Sequence, residues 1–186
     1  MKKVDITLSF AASLCIFGWV DRMLCLYFLI ALAFHEMGHL LIMKLVDIPV
    51  YRIRLSGAGA VIQGGFMGYR QEIVCAVMGP VGSVLLAIAC ARRLPELSVL
   101  SAALAAVNLL PVYPLDGGRI FRGILLLYLE DDRVEKILNR TTAVVCCLLM
   151  ICACWTAIEL QSGIWPIFMV LVILWRVGQA QKGDQY

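Results

Sequence analysis

Charged side chains are scarce in this chain of 186 residues. Asp, Glu, Lys and Arg make up 16% of the sequence, whereas 62% is hydrophobic and the mean hydropathy is +0.89. A water-soluble domain of this length has about a quarter charged and about half apolar residues, so the composition excludes that class. We therefore expect an α-helical integral membrane protein with about six transmembrane helices and little room for a soluble domain.

Histidine is scarcer still, with two residues, and the eight cysteines include no CxxC pair. The cysteines lie in apolar stretches, which indicates small packing residues rather than a disulfide scaffold. The sequence also lacks an internal repeat, a low-complexity segment and a convincing signal-peptide cleavage site. We therefore interpret the first apolar run, residues 6–20, as a retained helix. No nucleic-acid partner is expected.

Both histidines fall in one short motif. His35 and His39 lie four residues apart, and Glu36 directly follows the first of them. On a helix, positions i and i+4 share one face, so two imidazoles at this spacing can reach one metal ion. Glu36 can contact a water on that ion. This H-E-x-x-H arrangement is typical of zinc hydrolases.

The remaining apolar runs predict the other spans. A second span at 23–46 carries the H-E-x-x-H motif in its second half, and a third follows at 72–91. Alternating apolar and basic residues at 51–55, followed by glycines, predict a small β-hairpin or sheet at the membrane surface after the second span. The last three spans are predicted at 97–115, ending in a Pro- and Gly-rich break, at 141–158 and at 164–177. A short helix at 120–129 and a charged loop at 130–133 lie between them.

The basic residues orient this arrangement. Six spans put both termini on one side, which then holds all of the 16 Lys and Arg residues except Arg22, Arg92 and Arg93. The positive-inside rule places that side, and both termini, in the cytoplasm. The metal motif then lies in the cytoplasmic half of the second span, roughly 10 Å from its end at about 1.5 Å per residue.

A catalytic zinc site needs a third protein ligand. The chain has no further histidine, so the ligand must come from Asp, Glu or Cys. Asp116 is the best candidate, because it follows the break near the cytoplasmic end of the fourth span. A carboxylate at membrane depth is costly, and a metal partner would remove that cost.

Together these motifs resemble the site-2 protease family of intramembrane zinc metalloproteases. The resemblance rests on the H-E-x-x-H at 35–39 and on the N-x-x-P-x-x-x-x-D-G at 108–117. Gly79-Pro80 is similar to a third short motif of the family, with Ser83 where many members have Asn. The layout and length resemble the branch that cleaves a membrane-bound pro-sigma factor during sporulation. That branch usually carries a nucleotide-sensing domain after the last span, which this sequence lacks.

The resemblance implies a role for each matching residue. His35, His39 and Asp116 would bind one zinc ion per chain. Glu36 would be the general base that takes a proton from the zinc-bound water and passes it to the leaving amine. Asn108, two helical turns before Asp116, would orient the substrate or the oxyanion. Capping or bridging of the helix break is an equal alternative for Asn108, and no separate cofactor-binding residue is implied.

The expected protein is one membrane-embedded metalloprotease domain, 1–186, with a catalytic core at about 23–129 and accessory helices at 1–22 and 140–178. Its partners would be the lipid bilayer, a membrane protein or membrane-associated peptide as substrate, and a regulatory membrane partner. A pro-sigma factor, an anti-sigma factor and a signal-peptide remnant all fit as substrates of regulated intramembrane proteolysis. The alternative is a membrane metal transporter or metal sensor that uses the same ligands without hydrolysis.

Overall fold

A computed structural model describes residues 3–56, 59–159, 170–175 and 177–178, which are mostly helical. The chain divides into two compact units, Met1–Leu109 and Leu110–Tyr186. The elements described in the first unit are β1 (Lys3–Ile6), α1 (Leu8–Val20), α2 (Arg22–Leu45), β2 (Val50–Ser56), β3 (Gly59–Gly64), α3 (Tyr69–Cys90) and α4 (Pro95–Asn108). Those of the second unit are α5 (Asp116–Leu126) and α6 (Asp131–Glu159).

The α-helical membrane fold class is confirmed by the length and polarity of the helices. Within the described part of the chain, α2, α3 and α6 are long and apolar enough to cross a bilayer, with mean hydropathies of 1.7, 2.4 and 2.2. The helices α1 and α4 have 13 and 14 residues. At about 1.5 Å per residue each is roughly 20 Å long, shorter than the ~30 Å hydrocarbon layer.

The ends of α2 are set by local chemistry. Asp21 caps its start, with a carboxylate oxygen that accepts from the backbone N–H groups of Met23 at 2.8 Å and Leu24 at 3.0 Å. At its end, Asp47 adopts the left-handed conformation with φ 53°. The Ile48 N–H then donates to the Met43 carbonyl at 2.8 Å, and the two side chains pack in one buried cluster. This is a Schellman stop, which fixes where the chain leaves α2.

A three-stranded sheet follows α2, in the order β1-β2-β3. The antiparallel pair β2–β3 confirms the predicted hairpin, whose residues 57–58 lie outside the described chain. The parallel partner β1, in register from Lys3 opposite Arg52 to Ile6 opposite Leu55, was not predicted. An ion pair between Asp5 and Arg52 joins these two strands at their surface.

Close backbone contact between α2 and α3 depends on glycine. A Cβ atom on Gly38 would lie 2.2 Å from the Met78 carbonyl oxygen, and one on Gly82 would lie 2.9 Å from the Phe34 carbonyl oxygen. Small residues let two helices in a membrane approach until their backbones touch. The side chains on the facing sides of α2 and α3 therefore meet at short range.

Contacts of α4 complete the first unit. Pro95 begins α4, where its missing N–H costs nothing, and Ser98 donates to the Ala87 carbonyl of α3 at 2.7 Å. Leu97 packs with Ala31 and Leu86 in a buried cluster, so α2, α3 and α4 share one core. The predicted fourth span, 97–115, is shorter in the structure, because α4 ends at Asn108.

The second unit begins with a turn that leads into α5. Val112 and Leu115 of this turn pack against Cys146 of α6 in a buried cluster. The charged loop predicted at 130–133 is wrong, because α6 already begins at Asp131. Two aspartates in the first turn of a helix face its positive end and stabilise it. Half of the last predicted span, 164–177, lies outside the described residues.

Candidate metal centre

The two histidines of α2 converge on one point. Both are buried, with 3% of His35 and 6% of His39 exposed. Their Nε2 atoms lie 3.4 Å apart, and the ring planes are inclined by 81°. The predicted pairing of two imidazoles on one helical face is therefore present in the first unit.

Each ring is held from behind by α3. The Nδ1 atom of His39 donates to the backbone carbonyl of Cys75 at 2.8 Å, and Nδ1 of His35 lies 3.0 Å from the Ser83 hydroxyl oxygen. A carbonyl oxygen can only accept, so His39 carries its proton on Nδ1 and its lone pair on Nε2. Contacts of this type orient the histidine ligands of metal sites.

Gly79 lies between these two contacts and leaves space for the ligand atoms. A Cβ atom there would be 2.2 Å from Nε2 of His39 and 2.9 Å from Nε2 of His35. Any larger residue at position 79 would displace both nitrogens. Glycine is therefore needed at position 79 to leave room for the two ligand nitrogens, and not only for the packing of α2 against α3.

The geometry of the pair fits a zinc ion. Zinc holds histidine nitrogens at about 2.0–2.1 Å with tetrahedral angles, which separates two such nitrogens by about 3.4 Å. The observed Nε2 separation in the structure is 3.4 Å. The donor set is also suitable, since imidazole nitrogen is one of the common zinc ligands.

The two proposed catalytic residues occupy different positions in the first unit. Glu36 follows His35 on α2 and is half-buried. Asn108 is the last residue of α4, and its side-chain N–H donates to the Leu104 carbonyl at 2.9 Å. The predicted Pro- and Gly-rich break separates Asn108 from Asp116, because α4 ends at Asn108 and α5 begins at Asp116, so the two residues do not lie two turns apart on a continuous helix.

Asp116 belongs to the second unit, where it is the first residue of α5. Its side chain is buried, and Arg119 one turn later places Nη1 3.9 Å from its Oδ1 atom. Gly118 lets the preceding turn fold closely over the helix start, since a Cβ atom there would lie 2.5 Å from the Val112 carbonyl. Coordination by Asp116 of the same ion as the histidines stays a prediction.

The ring partners on α3 were not identified from the sequence as parts of this centre. Cys75, Gly79 and Ser83 recur at intervals of four residues, so they share one face of α3. That spacing was a usable signal for Gly79 and Ser83. The Cys75 contact uses a backbone carbonyl, which every residue type has, so the sequence does not indicate this contact.

Comparisons with known proteins support the resemblance found in the sequence. The model of peptidase family M50 matches residues 94–149, a segment that includes Asn108 and Asp116. Stage IV sporulation protein FB of Bacillus subtilis is 28% identical over 172 residues, which are 84% of this chain and 58% of that protein. A zinc metalloprotease of Methanocaldococcus jannaschii is 26% identical over 132 residues, covering 62% of this chain and 39% of that protein.

The fold is shared with a solved structure. The site-2 protease from Methanocaldococcus jannaschii aligns with a TM-score of 0.74 at 21% identity, covering 96% of this chain and 90% of that one. The chain spans 58% and 39% of the length of the two sequence relatives, respectively.

Proposed function

We propose that this chain, as a member of peptidase family M50, is an intramembrane zinc endopeptidase. The members of this family are the site-2 proteases. The observation that carries the proposal is the geometry of the two histidines. Their Nε2 atoms are spaced as two ligands of one zinc ion, on a helix apolar enough to span a bilayer. Glu36, the acid that peptide hydrolysis needs, follows the first histidine directly.

His35, His39 and Asp116 would hold one zinc ion per chain. Asp116 is buried at the start of α5, which supports its role because carboxylate oxygen is a common zinc ligand and the site is shielded from water. When bound, zinc lowers the pKa of a coordinated water and polarises a peptide carbonyl. The two ring contacts to α3 would keep both imidazoles in place throughout the reaction.

Glu36 would act as the general base. In this role its carboxylate accepts a proton from the attacking water and then delivers that proton to the leaving amine. Metal transport or metal sensing, the alternative function, uses the ligands but has no use for a base beside them. Glu36 is therefore the residue that separates the two functions experimentally.

The substrate would be a transmembrane or membrane-associated protein cleaved near the cytoplasmic face. The sporulation relative supports a developmental substrate of the pro-sigma or anti-sigma type. Cleavage requires that the substrate helix unwinds. In the described sheet β2 is paired on both sides, so within the segment from Tyr51 to Ile62 it is β3 that offers an edge to which an extended peptide can add. Asn108 would orient that peptide or its developing oxyanion.

The proposed catalytic core is about 23–129, with accessory helices at 1–22 and 140–178. Both termini would lie in the cytoplasm, on the side that carries most of the basic residues. A regulatory membrane partner would control access of the substrate.

Co-expression with candidate single-span substrates tests this function. The wild-type chain should release a fragment whose size maps to the membrane segment, whereas Glu36→Gln should release none and still bind zinc. Glu96→Gln is the matched control, since Glu96 is exposed at the start of α4. Cleavage that persists in Glu36→Gln would exclude the protease mechanism, and metal uptake by vesicles of wild type would then favour transport.

A further inference from the structure

We propose that Ser83 is a positioning residue of the metal centre. Its hydroxyl oxygen, 3.0 Å from Nδ1 of His35, accepts a hydrogen bond from the N–H group at that nitrogen and so directs the Nε2 lone pair of the ring toward the ion. The inference rests on the proposed function, because it assigns Ser83 a role toward the same zinc ion.

The argument begins with the two tautomers of neutral imidazole. One ring nitrogen carries the proton and the other carries the lone pair that binds metal, and the partner of the first nitrogen decides which is which. For His39 the Cys75 carbonyl settles the choice, because it can only accept. A hydroxyl can donate or accept, so Ser83 alone does not force the choice for His35.

The position of the second imidazole resolves this ambiguity. Nε2 of His35 faces Nε2 of His39, and the two nitrogens share the point where a zinc ion fits. His35 can contribute a lone pair at that point only with its proton on Nδ1. Ser83 must then act as the acceptor, and loss of its oxygen would favour the tautomer that cannot bind metal.

Burial makes the contact hard to replace. Ser83 has 0% of its surface exposed, so water cannot take over the role of its hydroxyl oxygen. The position of Ser83 is also set by the close contact of Gly38 and Gly82 with the opposite helix. The hydroxyl is therefore held at the distance that the ring requires.

Zinc affinity of the purified full-length protein in detergent tests the proposal. Competition with a chelating dye should show zinc binding weaker by about 10- to 100-fold in Ser83→Ala, the usual effect of removing such a partner from a metal ligand. Ser83→Thr keeps the hydroxyl and should restore most of the affinity. Ser101→Ala is the matched control, because Ser101 is also fully buried but donates to Leu97 within its own helix, at 2.8 Å.

The visible spectrum of the Co²⁺-loaded protein gives a second readout that simple packing would not change. Ser83→Ala should shift the ligand-field bands, because the orientation of one imidazole changes, whereas Ser101→Ala should leave them as in wild type. Unchanged zinc affinity in Ser83→Ala, or an equal loss in Ser101→Ala, would overturn the proposal. If Ser83→Thr does not fold, the zinc affinities of Ser83→Ala and Ser101→Ala still test the proposal, because only the first should be weakened.

The outcome is separable from that of the proposed function. Loss of cleavage in Glu36→Gln together with unchanged zinc affinity in Ser83→Ala would support the protease and reject the role of Ser83. Persistent cleavage in Glu36→Gln together with weakened binding in Ser83→Ala would reject the protease and keep Ser83 as a positioning residue.

Discussion

His35 and His39 direct their Nε2 atoms at each other across 3.4 Å, while both Nδ1 atoms face partners on α3. A zinc ion at this point would bond to both nitrogens, since their separation matches that of two zinc-bound imidazoles. The first unit should therefore gain stability when it binds zinc, and this gain makes metal binding measurable without a substrate.

Removal of zinc should lower the thermal stability of the purified protein. An ion that binds only the folded chain adds about 2.7 kcal/mol of stability at a free concentration 100 times its dissociation constant. We expect EDTA to lower the Tm of wild type and added zinc to restore it. His39→Ala should show neither effect. A drop of equal size in His39→Ala would mean that EDTA acts elsewhere.

Asp116→Ala should lower the zinc content of the purified protein, because a carboxylate ligand is lost from the site. Asp132→Ala is the control in the same unit, since Asp132 is exposed in the first turn of α6. Elemental analysis of both variants measures the zinc per chain. Wild-type stoichiometry and affinity in Asp116→Ala would remove Asp116 from the ligand set.

Gly38→Ala should destabilise the first unit and weaken zinc binding together. The added Cβ atom would meet the Met78 backbone at 2.2 Å, and backbone cannot move aside as a flexible side chain can. Overpacking of this kind costs typically 1–3 kcal/mol. Gly18→Ala is the control, because its Cβ would contact only Cys25 Sγ at 4.0 Å. Thermal unfolding monitored by circular dichroism should separate the two variants, and equal Tm values would contradict the close contact.

Asn108→Ala distinguishes a substrate role from a structural role. If Asn108 orients the substrate, kcat should fall at least tenfold with unchanged zinc content and Tm, as for the loss of one polarising donor. Asn108→Gln keeps the amide but shifts it, and should also be impaired. A variant whose Tm falls while cleavage per folded molecule is normal would assign Asn108 to the end of α4, where its side chain already bonds Leu104.

Labelling from outside the membrane can test the arrangement of the first unit. Because β1 pairs with β2, cysteines introduced at Lys3 and Arg54 should react with an impermeant maleimide from the same side. A cysteine at Arg93, in the turn between α3 and α4, should react from the opposite side. The background should have the eight native cysteines replaced. If the cysteines at positions 3 and 54 react from opposite sides of the membrane, the parallel pairing of β1 with β2 is excluded.

The sequence predicted those parts of the centre that depend on residue type and spacing. The convergence of His35 and His39 follows from helical periodicity, because a separation of four residues places both rings on one face. The second span predicted at 23–46 agrees closely with α2 at Arg22–Leu45. The hairpin followed from alternation in β2.

The parts that were missed depend on tertiary contacts. The carbonyl of Cys75 is a backbone group, so its hydrogen bond to His39 cannot be predicted from the type of side chain. Ser83 was noted as part of a family-like motif, but its contact with His35 became visible only through the packing of α2 against α3. The strand β1 has four residues, too few for a periodic pattern to stand out before an apolar helix. The Pro- and Gly-rich break after α4 was predicted, but the span was extended to 115, past the end of α4 at Asn108, because the apolar run continues there.

The parallel pairing of β1 with β2 has a consequence for biosynthesis. Lys3 leaves the ribosome before its partner Arg52, which emerges only after both α1 and α2 have been made. The strand β1 therefore has no partner strand during early synthesis. It can pair with β2 only after α1 and α2 have inserted and the chain is again on the side of the membrane where β1 lies. An amino-terminal fusion that tethers or translocates those residues should impair assembly at this step, well before the metal centre can form.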